Sequence, residues 1–77
     1  MTILVIVQTR DPHRQSEAMR AALGLTLRGA RLEVVVAGPL LTALAERSAA
    51  TLRSFGHSVG AELGDALTRA DAVEVWT

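Results

Sequence analysis

The chain contains neither cysteine nor lysine among its 77 residues. Without cysteine there is no disulfide, no thiolate metal site and no cysteine nucleophile. Without lysine there is no Schiff-base chemistry and no phosphate-loop lysine. Tyrosine is missing as well, so Phe55 and Trp76 are the only aromatic residues, and eight arginines balance eight acidic residues to a formal net charge of zero. A neutral chain with dispersed cations and two aromatics lacks both the basic face and the stacking platforms of a nucleic-acid binder. Nucleic acid is therefore not an expected partner. Unbroken apolar runs are no longer than one strand, far short of the roughly 20 residues of a membrane span. Met1-Thr2 leads into the first of them without the basic segment that opens a signal peptide. The expectation is a cytoplasmic protein with no membrane partner.

Hydrophobic residues, by contrast, make up 49% of the chain. A chain this short buries only about 60% of its unfolded surface. A small sheet with a few helices does not easily hide that much apolar surface, which favours a homo-oligomer.

The patterning is that of one α/β domain over residues 1–77. Ile3-Leu4-Val5-Ile6-Val7 reads as a strand buried on both faces, as in a parallel sheet covered by helices. Asp11 is a good N-cap and Pro12 suits a first helical position. A helix is predicted from about Pro12 to Arg28, with Met19, Leu23 and Leu27 toward the sheet and Gly29 ending it. Leu32 to Ala37 read as a second buried strand. Gly38-Pro39 breaks it and starts a helix with Leu41, Leu44, Ser48, Leu52 and Phe55 on one face. Gly56 to Gly60 read as a turn, Ala61 to Ala70 as a short helix with Leu63, Ala66, Leu67 and Ala70 inward, and Ala72 to Trp76 as a last strand. The order β-α-β-α-α-β predicts a small three-layer α/β sandwich, a flavodoxin-like half with a short parallel sheet and the first strand central.

Two motifs match known sites in letters only. Gly56-His57-Ser58-Val59-Gly60 fits the G-x-S-x-G elbow of serine hydrolases, but the elbow needs a preceding strand and a later histidine. Leu44 to Phe55 is helix-patterned, and His13 and His57 both precede Ser58. Gly24-Leu25-Thr26-Leu27-Arg28-Gly29 imitates half a phosphate loop, yet Ala30-Arg31 follow where Lys and Ser/Thr are required, and the segment ends a helix instead of starting one.

The remaining cluster, Arg10, Asp11, His13, Arg14 and Ser16, follows the first strand at the carboxyl edge of the sheet, where open α/β sheets bind ligands. A helix N-terminus carrying about half a positive charge, with two arginines beside it, suits a small anion. His13 with a neighbouring arginine suits acid–base chemistry on an anionic substrate. The alternative is that Asp11 caps the helix and the others are solvated or paired at a subunit interface.

The strand Ile3 to Val7, then Asp11-Pro12, Glu17, the Ala- and Leu-rich stretch Ala18 to Leu27, the strand Leu32 to Gly38 and the closing Ala70-Asp71-Ala72-Val73-Glu74-Val75 resemble the DsrE/DsrF-like family of sulfur-relay proteins. The resemblance implies a cytoplasmic α/β protein that assembles into dimers, trimers or hexamers. Several such proteins carry sulfur as a persulfide on a cysteine after a middle strand. This chain has none, and that region is compressed into about Phe55 to Ala61. The resemblance thus implies the fold, the oligomer and a non-catalytic binding or partner role. No cofactor or metal is expected, and the partners expected are further copies of the chain, a small anion or another protein. The alternatives are a small enzyme using His13 and, behind it, a hydrolase at Ser58.

Overall fold

A computed structural model describes residues 1–77. The chain runs β1 (Thr2–Val7), α1 (Pro12–Thr26), β2 (Arg31–Val36), α2 (Ala43–Ser54), β3 (Ser58–Gly60), α3 (Ala66–Arg69) and β4 (Ala72–Trp76). All strands are parallel, in the order β3-β2-β1-β4. The predicted α/β class and the central first strand are both present.

Register explains which residues share a face. Val5 lies beside Val34 and Glu74, and Val7 beside Val36 and Trp76. These, with Ile3 and Leu32, form the face on which α1 and α2 pack. Its core includes Met19, Ala22, Ala45, Ala49 and Leu52. Alanines at the helix contacts let both helices lie close to the valines. On the other face, Leu4 lies beside Glu33 and Val73, and Ile6 beside Val35 and Val75. Right-handed crossovers account for the division: the chain steps from β1 to β2 to β3 in one direction, placing α1 and α2 together, and returns to β4 across the opposite face with α3. That third layer is thin. Leu4 and Ala66 are buried, while Val73, Val75 and Leu67 are about half exposed.

The total accessible surface, 4503 Å², equals the roughly 4,500 Å² that size scaling gives for a compact monomer of this mass. The chain is thus unusual in what it exposes, not in how much.

Three segments differ from the sequence reading. The segment Gly56 to Gly60 is not all turn: Ser58–Gly60 form β3, paired with Glu33 to Val35. Helix α2 starts at Ala43, not Pro39, because Thr42 is its cap and its hydroxyl accepts the Ala45 N–H at 2.9 Å. The helix expected over Ala61 to Ala70 is confined to Ala66–Arg69, since Gly64 has φ +47°, which an L side chain adopts only with strain. Leu27 and Phe55, expected inward, are 90% and 68% exposed, as both lie beyond the last residue of their helix.

Candidate functional site

The carboxyl edge of the sheet is built by the β1–α1 and β2–α2 loops, and buried polar side chains bind one to the other. Gln15, on the inward face of α1, donates from Nε2 to the Pro39 carbonyl at 3.0 Å and accepts the Leu41 N–H on Oε1 at 2.8 Å. One residue on, Ser16 Oγ donates to the Pro12 carbonyl at 2.9 Å and lies 2.7 Å from the Thr42 hydroxyl. The N-termini of both long helices are thereby held together. Of these two residues, Ser16 belongs to the cluster that the sequence singles out, and Gln15 was missed as a functional position. The signal was a glutamine four residues before Met19 and seven before Ala22 on an otherwise apolar helix stripe.

Four residues of the Arg10 to Arg14 loop each take a separate task. Asp11 is the N-cap of α1: Oδ2 accepts the Arg14 N–H at 2.9 Å, and its own N–H donates to Thr9 Oγ1 at 3.2 Å. Arg14 turns toward β4. Its Nε donates to the Thr77 carbonyl at 3.0 Å, and its guanidinium lies 5.3 Å from the centre of the Trp76 ring, within cation–π range. His13 points outward, 81% exposed, with Nε2 2.6 Å from Glu17 Oε1 one turn later. Arg10 turns the opposite way from Arg14 and lies over Gly38. There it lines a pocket of about 130 Å³ with Thr9, Gln15, Ala37, Pro39 and Leu41. Gly38 has φ +108°, so the β2–α2 loop beside Arg10 takes a path that favours glycine.

The two arginines therefore do not converge on one ligand position. Arg14 is a clamp between α1 and the end of β4, and Arg10 has no carboxylate or carbonyl partner within the chain. At the helix start the Arg14 N–H is held by the Asp11 carboxylate and the Gln15 N–H by the Asp11 carbonyl at 2.9 Å. The Gln8 and Thr9 N–H groups both donate to the Trp76 carbonyl, at 2.8 and 3.1 Å, prolonging the β1–β4 ladder. A phosphate-cradling nest would need those donors free.

Comparison with protein-family models, with curated proteins and with solved structures finds no match to this chain. The site is therefore read from its own geometry.

Ser58 has no elbow around it. It opens the edge strand β3 after a helix and a turn, and His57 Nδ1 beside it accepts the Leu32 N–H at 3.0 Å. That bond fills a place on β2 where a strand carbonyl would otherwise serve. No group of three or more His, Cys, Asp or Glu side chains is arranged to hold a metal ion, and no helix is long and apolar enough to cross a membrane.

Proposed function

We propose that this chain is a non-catalytic, oligomeric binding subunit that takes a small anion at the carboxyl edge of its sheet, with Arg10 as the binding group. The observation that carries the reading is the Arg10 guanidinium itself: it has no anionic partner in the chain and borders a pocket beside the ends of β1 and β2. Such a position is where open α/β sheets place ligands. The pocket's size sets the ligand class. At about 130 Å³ it is well below the roughly 300 Å³ at which pockets for drug-sized molecules begin, which suits sulfate, phosphate or a sulfur oxyanion better than a nucleotide.

The oligomer is supported by the half-exposed Val73, Val75 and Leu67 on a thinly covered sheet face. The DsrE-like resemblance fits this reading as a cytoplasmic partner role, since a chain without cysteine holds no persulfide of its own. Titration calorimetry at low salt with sulfate and with phosphate tests it. Wild type binds, Arg10→Ala loses at least tenfold in affinity, and Arg14→Ala retains binding because Arg14 is held by Trp76 and Thr77. Equal heats from wild type and Arg10→Ala would refute the reading.

A further inference from the structure

The two edges of the sheet are not equivalent. β3 is three residues long and includes Gly60, and Arg53 Nη2 donates to its Val59 carbonyl at 3.0 Å. It is short and guarded, as edge strands of monomers are. β4 is five residues with no proline, glycine, bulge or cation. In a parallel ladder alternate residues turn both backbone groups to the same neighbour. The Trp76 carbonyl accepts from Gln8, so Trp76 and Glu74 face β1. Val73 and Val75 must then direct their N–H and C=O groups outward, away from the sheet. These are two half-exposed valines on an unguarded edge.

Beside that edge lies a groove of about 370 Å³ between α1 and β4, lined by Glu17, Arg20, Ala21 and Trp76. Arg20 is exposed there, and the ion pairs of the chain are His13–Glu17 and Arg69–Glu33, so Arg20 has no carboxylate partner of its own.

We propose that β4 pairs antiparallel with β4 of a second copy about a twofold axis at Val75, joining the two sheets into one of eight strands. The inference rests on the oligomeric reading above and names its interface. Backbone pairing and charge together select the register: an axis at Val73 would set Val75 opposite the partner subunit's Asp71, whose N–H already donates to the Thr2 carbonyl at 2.8 Å. An axis at Glu74 would set two carboxylates directly opposite each other, which is destabilising. An axis at Val75 pairs Val75 with itself and Val73 with the partner subunit's Thr77. It sets Glu74 opposite the partner subunit's Trp76, on the sheet face where the groove lies. Glu74 already accepts the Nε1–H of its own Trp76 at 2.7 Å on Oε1, which leaves its second oxygen for the partner subunit's Arg20. The same pairing satisfies the outward groups of Val73 and Val75, and it makes the valine stripe of the thin face continuous across the axis.

Sedimentation equilibrium on the purified chain, together with three variants, tests this. The wild type is expected to be a dimer or an even-numbered assembly. Val75→Pro removes an N–H that makes no bond to β1, so it is expected to keep its circular dichroism and to weaken association at least tenfold. Should proline unfold the chain, Val75→Arg replaces it in the same measurement. Because the chain has no cysteine, Val75→Cys is expected to form a covalent dimer on oxidation, and Val73→Cys, displaced from the axis by two residues on each strand, is not. A monomeric wild type would overturn both the oligomeric reading and this interface. An oligomer untouched by proline and arginine at position 75, or crosslinked as readily through position 73, would overturn this interface alone.

Discussion

The two faces of the sheet are made from the same four strands, yet they carry different loads. On one, Val5, Val7, Leu32, Val34 and Val36 meet Ala18, Met19, Ala22, Ala45 and Ala49 of two long helices, and every one of these residues is buried. On the other, Leu4 and Ala66 are buried, but Val73, Val75 and Leu67 stand half in water, and Glu33 lies beneath α3 with one oxygen on Arg69 and the other, Oε2, buried without a partner. A fully parallel sheet ordinarily has both faces covered. Here the cover of the second face is a helix of four residues. The difference shows that burial in this chain follows the length of the connection between strands: two crossovers long enough for three or four turns of helix build a core, and the third, spent on a glycine-containing loop, does not.

The largest expected effect is on the covered face. Leu52→Ala removes a fully buried side chain between α2 and the sheet and is expected to cost about 2–5 kcal/mol. That is a large part of the total stability of a domain this small, so thermal unfolding followed by circular dichroism should show a loss of many degrees or no folded state. A cost below 1 kcal/mol would break the comparison. Next is the strap between the two loops. Gln15→Leu keeps the volume but strands the Leu41 N–H and the Pro39 carbonyl, and chemical denaturation should show a loss of about 1–3 kcal/mol. Removing the α2 cap with Thr42→Ala is expected to cost about 1 kcal/mol by the same measurement. The smallest effect belongs to the thin face: Leu67→Ala, on the half-exposed α3, should fall within about 0.5 kcal/mol of wild type. A loss there comparable with Leu52→Ala would mean that the second face is a core after all.

Strands β1, β2 and β4 and helix α1 were legible because their signals are local and redundant: apolar stretches rich in valine and isoleucine, an Asp-Pro start and an apolar period. β3 was not, since Ser58-Val59-Gly60 has two weak strand formers and becomes a strand only through pairing with Glu33 to Val35. The start of α2 was displaced by four residues because Pro39 is a familiar first helical residue, yet its carbonyl is engaged by Gln15 and the capping hydroxyl comes from Thr42. At the site, Asp11 as a cap was readable from position alone. The opposite directions taken by Arg10 and Arg14 were not, because they depend on where Trp76 and Gly38 lie in space, far along the chain from both.

The buried cluster beneath α1 and α2 is drawn entirely from residues 5 to 52, so its contacts close shorter loops than the docking of β4 does, at a smaller cost in chain entropy. β4 is different: Ile3 pairs with Ala72 across almost the whole chain, a closure that comes slowly in any folding sequence ordered by contact separation. Until it docks, β1 is itself an open edge of bare valines and isoleucines. Exchange of this one strand between copies, one molecule's β4 laid on another's β1, is therefore the misassembly expected when the protein is refolded at high concentration.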